Sequence, residues 1–208
     1  MDIRLPVAQV VAIAILSLAA IACQGEQVSD RGTLEAEMTP SGSPVGPGLV
    51  EGTPIITDSL FQFPAKGYSV VIPDGWSPRP NVRVMSNVSI DAFFSPSQEA
   101  GFQPNIAVTR EAIDPGTTLE SYFQAKMDVV EGVTGTRPEG RVTQVAGQEA
   151  YVAEYTPTKD SPWPDKTDVV FVNERYGWII SLTVPQGRRA DYQGVLDEFV
   201  ASFQLLPQ

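Results

Sequence analysis

Residues 176–203 read YGWIISLTVPQGRRADYQGVLDEFVASF. In the first part Tyr176, Trp178, Ile180, Leu182 and Val184 recur at every second position. That period predicts a strand with one strongly apolar face, which another element must cover. After Pro185-Gln186-Gly187 the period changes: Tyr192, Val195, Leu196, Phe199, Val200 and Phe203 recur at helical spacing. This is the stripe of an amphipathic helix, with Arg188 and Arg189 expected in solvent beside its start. A strand with a bare apolar face next to a helix with a matching stripe predicts a layered α+β domain.

The preceding chain repeats the strand signal. Tyr68–Ile72 alternates and stops at Pro73-Asp74-Gly75, while Val82–Met85 and Ile90–Phe94 read as a hairpin about Ser86-Asn87. Asn105–Glu111 follows; Arg141–Val145 and Ala150–Thr156 then flank a turn at Ala146-Gly147-Gln148. Thr167–Asn173 precedes a turn at Glu174-Arg175. Hairpin spacing of this kind predicts a largely antiparallel sheet. A second helix is predicted from Leu119, Tyr122, Phe123, Met127 and Val130, with Thr117 and Glu120 as its capping box. The two helices are expected on one face of the sheet or on opposite faces, and Trp76 and Trp178 are expected in the core.

Composition changes sharply before this region. All 18 aromatic residues lie between Phe61 and Phe203. Residues 24–60 hold four Pro, six Gly, four Ser and four Thr, with six acids against Arg31 alone. Such a segment cannot bury enough apolar surface to offset its ordering entropy, so residues 23–54 are expected to be a flexible acidic tether and residues 55–208 the folded unit. As a random coil, residues 24–60 span about 35 Å.

At the N-terminus, Leu5–Ala22 is apolar apart from Pro6, Gln9 and Ser17, and it ends in Ala20-Ile21-Ala22-Cys23. Small or branched residues directly before the only cysteine resemble the lipobox of bacterial lipoproteins. The resemblance implies a signal peptide over residues 1–22, lipidation of Cys23 and a lipid-anchored, extracytoplasmic protein in the cell membrane. The alternative is an uncleaved membrane anchor.

Several chemistries are excluded. The chain has no histidine, which removes Ser-His-Asp and Cys-His catalysis and most zinc sites. One cysteine leaves no intramolecular disulfide. A net charge of −11 argues against nucleic acid as a partner. No nucleophile elbow or phosphate loop occurs, so no catalytic residue, metal or cofactor is assigned. The segment Lys159-Asp160-Ser161-Pro162-Trp163-Pro164-Asp165-Lys166-Thr167-Asp168 is the most informative part outside the core. Its aspartates are of the type that binds Ca²⁺, but the spacing matches no EF-hand and two lysines compete for the carboxylates. It is expected to be a solvated hairpin loop. Trp163, with Asp160, Asp165 and Asp168, is the candidate contact for a protein partner.

The run Gly67-Tyr68-Ser69-Val70-Val71-Ile72-Pro73-Asp74-Gly75-Trp76 resembles the opening strand of PsbP-like domains. The helix from Leu119, the hairpin Val145–Tyr151 and the ending Phe199-Val200-Ala201-Ser202-Phe203 follow in that family's order. The family includes a photosystem II subunit, a Ran-binding protein and LpqN-type lipoproteins. The resemblance implies an α/β/α sandwich around a largely antiparallel sheet, in proteins that mostly bind or assemble others. It carries no catalytic set. The functional expectation is a non-catalytic envelope binding or assembly module, the alternatives being a small-molecule or lipid carrier and a carboxylate-based hydrolase.

Overall fold

The computed structural model describes residues 52–85, 88–99, 101–156, 164–174 and 176–207. Strands β1 (Ile55–Thr57), β2 (Leu60–Phe63) and β3 (Tyr68–Val71) come first, with one 3₁₀ turn (Pro64–Lys66) before β3. Next are β4 (Ser77–Met85), β5 (Val88–Phe94), β6 (Asn105–Ala112) and helix α1 (Leu119–Thr134). The remainder is β7 (Gly140–Val145), β8 (Gln148–Tyr155), β9 (Asp165–Asn173), β10 (Tyr176–Val184), α2 (Arg189–Ser202) and β11 (Gln204–Leu205). They form a seven-stranded sheet, ordered β4-β5-β6-β10-β9-β8-β7, and a four-stranded sheet, ordered β1-β2-β3-β11. Neighbouring strands pair antiparallel throughout.

β10 lies at the centre of the large sheet, and its two faces explain the layers. Trp178, Ile180, Leu182 and Val184 enter one core with Tyr192, Leu196 and Phe199 of α2. Ile179 faces the other way, into a core with Tyr122, Phe123, Met127 and Val130 of α1. The helices therefore cover opposite faces, because a strand sends alternate side chains to opposite sides. The small sheet shares the α2 side through Phe61, Phe63, Tyr68 and Val70. The sequence pattern does not announce this second sheet: β1 has three residues, β2 has four and β11 has two, too few for a period to show.

Three local expectations are corrected. The capping box of α1 sits one residue later, on Thr118 and Ser121. Thr118 Oγ1 accepts from Ser121 N at 3.1 Å, and Ser121 Oγ accepts from Thr118 N at 3.0 Å. Thr117 instead donates to Asp114 O, and Glu120 accepts from the Tyr151 hydroxyl. β4 begins at Ser77 rather than Val82. It takes in Pro78 and Pro80 because it is an edge strand, where a missing N–H costs no ladder bond, and its register shifts between Arg79 and Val82. Arg188 is exposed beside the helix start as expected, pairing there with Glu99 at 2.8 Å, whereas half-buried Arg189 is anchored, donating to Tyr155 O at 2.9 Å.

Candidate functional site

The most polar concentration in the main core lies at the seam between the two sheets. Asp91 on β5 stands opposite Val108 on β6, and Arg110, two residues along β6, stands opposite Trp178 on β10. All four share the α2 side. From the small sheet, Pro64–Lys66 makes one tight turn, closed by Gly67 in the left-handed region (φ 75°) with its N–H on Pro64 O at 3.0 Å. That turn places Lys66 over β5.

Asp91 is thereby enclosed. Its carboxylate accepts from Lys66 Nζ at 2.6 Å, from the Tyr68 hydroxyl at 2.7 Å and from Asn81 N at 2.9 Å. Asn81 reaches it from the irregular part of β4, where its φ is +54°. Burial pulls the Lys66 ammonium below the ordinary lysine range, and the Asp91 carboxylate partly offsets this. Burial, with Asp91 beside it, pushes the Tyr68 hydroxyl well above its ordinary value. Arg110 donates to Lys66 O at 2.6 Å and lies over the Tyr176 ring, 4.2 Å from its centroid. Lys66, Tyr68, Ser89, Asp91, Arg110 and Trp178 line a small pocket of about 30 Å³. It has room for about two water-sized positions. The indole N–H of Trp178 is buried and finds no acceptor on the protein.

A carrier of lipid or drug-sized molecules needs far more space, on the order of 300 Å³. Beside this pocket the rings pack against one another instead. Tyr68 stacks on Phe203 with centroids 5.2 Å apart, and Trp178 meets Tyr68 edge-on at 5.7 Å.

The acidic segment expected as a solvated loop divides in two. Asp160 and Trp163 lie outside the described residues. Asp165 and Asp168 belong to β9 and are buried, each about 4% exposed. Asp168 accepts from the Tyr155 hydroxyl at 2.8 Å and from Ser181 Oγ at 2.6 Å. Asp165 accepts from Gly187 N at 2.9 Å. Three residues apart on one strand, the two carboxylates serve opposite faces of the sheet, so they cannot share a cation. Neither offers a partner an accessible contact. Charged residues read as solvated, yet β9 buries both: Asp168 against Tyr155 and Ser181, and Asp165 against the Gly187 N–H in the turn after β10. Lys166 between them is also buried, which pulls its ammonium down to about 8, with Asp168 opposing the change.

A second buried charge pair, Lys126 on α1 with Glu111 on β6, sits under α1. The sequence reading passed over Lys66, Asp91 and Arg110. One signal was available: Asp91 interrupts the otherwise apolar run Ile90-Asp91-Ala92-Phe93-Phe94. An acid in such a strand needs a buried partner.

No protein-family model matches the chain, and neither does any curated protein. Solved structures do. The solution structure of cyanobacterial PsbP (CyanoP) from Synechocystis sp. PCC 6803 matches with a TM-score of 0.52 and 18% identity. The match covers 79% of this chain and 98% of that one. The crystal structure of LpqN, involved in cell envelope biogenesis of Mycobacterium tuberculosis, matches with a TM-score of 0.54 and 12% identity. Here the shares are 74% of this chain and 90% of LpqN. At such identities the likeness speaks for the fold. An antiparallel large sheet, with one helix on one face and a helix and small sheet on the other, gives this chain the PsbP-like fold.

Proposed function

We propose that this protein is a lipid-anchored envelope module that binds or helps assemble a membrane-associated partner and carries out no catalysis. The observation that carries the reading is Cys23, the only cysteine, standing directly after Ala20-Ile21-Ala22 at the end of an apolar leader. A thiol acylated there holds firmly, since each buried CH₂ contributes about 0.8 kcal/mol and more than one chain is attached. Residues 23–54 form the tether and the domain faces the extracytoplasmic side of the cell membrane. Two observations support a binding role. Asp91, the acid of the seam pocket, already accepts hydrogen bonds from Lys66, Tyr68 and Asn81, so its oxygens are engaged within the fold. LpqN, which has the same fold, is described as involved in cell envelope biogenesis, and the reading extends that setting to this chain. Trp163 is the proposed partner contact.

The experiment compares the full chain with Cys23→Ser in a bacterial host. The wild type should enter the membrane fraction with an acylated N-terminal Cys23, and the variant should accumulate uncleaved. Normal cleavage of the variant overturns the anchor. Cross-linking in cells should then enrich a membrane-associated protein, less so with Trp163→Ala. Turnover of an envelope substrate by the purified chain overturns the non-catalytic reading.

A further inference from the structure

We propose that the outer face of the small sheet is a second, non-covalent membrane contact, which rests on the zwitterionic lipid surface of the bilayer that holds Cys23. The inference rests on the lipid-anchored reading and adds to it the orientation of the domain. Three features of the small sheet lead to it.

The first is apolar exposure. Among the described residues six large apolar side chains are exposed, and four of them, Ile55, Ile56, Leu60 and Val71, lie on β1, β2 and β3 at 37–54% exposure. Phe61, Phe63, Tyr68 and Val70 point into the shared core, so their alternates point away from it. Leu60 pairs with Thr57 on one side and Val71 on the other, and Ile55 pairs with Gln62. Ile55, Leu60 and Val71 therefore share the outer face. Ile56, opposite Phe61, is exposed because β1 is the edge of the sheet.

The second is charge. The same face continues with Thr57, Gln62, Ser69 and Gln204. None of its residues is charged, in a chain of which 19% is charged. An ionic partner finds nothing to pair with there. Apolar side chains among hydroxyl and amide groups suit the boundary between acyl chains and headgroups. The acid beside the face in sequence is Asp58, in the turn between β1 and β2, and it weighs against anionic lipid.

The third is position. β1 begins at Ile55, directly after the tether of residues 23–54. As a random coil that tether spans about 30 Å, so Cys23 holds β1 near the bilayer at an effective concentration on the order of 1 mM. A contact too weak to hold a free domain is populated under that condition. A protein occupant needs more surface: four half-exposed side chains fall far below the roughly 800 Å² per partner of a stable interface. Docked in this way, the small sheet lies on the lipid and α1, on the opposite face of the large sheet, is turned away from it.

The test uses the full chain made in a bacterial host, where acylation blocks the thiol of Cys23, the only native cysteine. Leu60→Cys, Ile55→Cys or Val142→Cys then supplies one free thiol for an environment-sensitive fluorophore. The anchor holds each chain in phosphatidylcholine vesicles, with or without nitroxide on the acyl chains. Nitroxide should quench the labels at positions 55 and 60. It should spare the label at position 142, since exposed Val142 pairs with Tyr151 on the α1 side. Adding Ile56→Ser and Val71→Ser to the Leu60→Cys chain should cut the docked population about tenfold or more, because each half-exposed apolar side chain contributes about threefold to tenfold. An unchanged urea midpoint in these chains reports that the fold is intact. Equal quenching at positions 60 and 142 overturns the proposal, as does quenching that needs anionic lipid and fades in high salt. Shielding of the position 60 label without vesicles overturns it too: dependence on protein concentration identifies a second copy as the occupant, and independence identifies residues 23–51. An acylated chain that floats with the vesicles but is not quenched overturns this contact alone, whereas a chain without acyl mass overturns the anchor and the contact together.

Discussion

Asp91 is the residue whose removal should be felt most. It compensates a lysine whose side chain is about 8% exposed, and it accepts from Tyr68 and Asn81 as well. Breaking a buried pair from one side strands the other charge, at about 3–5 kcal/mol. Asp91→Ala should therefore lose that much in urea denaturation. Adding Lys66→Met should restore a large part, because removing both charges removes the stranded one. A loss under ~1 kcal/mol for the single variant, or no restoration in the double, counts against this account. Lys166 predicts a pH effect. Its pKa lies at about 8 in the fold, below the ordinary lysine value of 10.5. The unfolded chain then binds more protons between these two values, so stability rises with pH across that window. The cost of holding Lys166 is full below about pH 8 and fades towards the unfolded value. Lys166→Met removes this term. Between pH 7.5 and 10 the wild type should gain stability relative to the variant, by no more than ~3 kcal/mol. Parallel pH profiles would contradict it.

At the level of elements, long periodic segments were readable and short or charged ones were not. The strand Tyr176–Val184 occurs with the bounds its period predicts, because its alternation runs through nine residues and one face is wholly apolar. The helix after it starts at Arg189, three residues before its first apolar position, since a helix needs no apolar residue in its first turn. β9 begins at Asp165 rather than Thr167; its first residues are charged, and only their distant partners make them buried strand. The Lys66–Asp91 pair joins residues 25 apart in sequence, and no local pattern encodes such a pair. Two substitutions test how α1 is built and seated. Thr118→Ala should cost about 1 kcal/mol as loss of the N-cap, and Thr117→Ala clearly less. The reverse order would return the capping box to Thr117. Gly177 on β10 lies beneath the Tyr122 ring, and a Cβ there would overlap it. Gly177→Ala should cost about 1–3 kcal/mol by overpacking, and Tyr122→Ala in the same chain should abolish that increment. An unchanged cost in the double variant would show that another contact is responsible.

For the whole molecule, the question is whether the two sheets form one cooperative unit. Phe203 is the joint. It ends α2, precedes β11 and stacks on Tyr68 of the small sheet with centroids 5.2 Å apart. It also meets Phe171 and Trp178 of the large sheet edge-on, each at 5.7 Å. β11 then pairs with β3 through Gln204 and Leu205, so the chain end closes the small sheet directly after sealing the shared core. Lys66 and Tyr68 bond Asp91 across the same seam. A seam that is aromatic in one half and ionic in the other gives the small sheet no independent core, because Phe61, Phe63, Tyr68 and Val70 share one cluster with residues of the large sheet and α2. Phe203→Ala should therefore lose about 3–5 kcal/mol and still unfold in a single transition. Tryptophan fluorescence, weighted by Trp178 in the large sheet, and amide exchange in β2 and β3 should give the same midpoint. Earlier loss of protection in β2 and β3 would mean that the small sheet opens alone, and that the seam pocket opens with it.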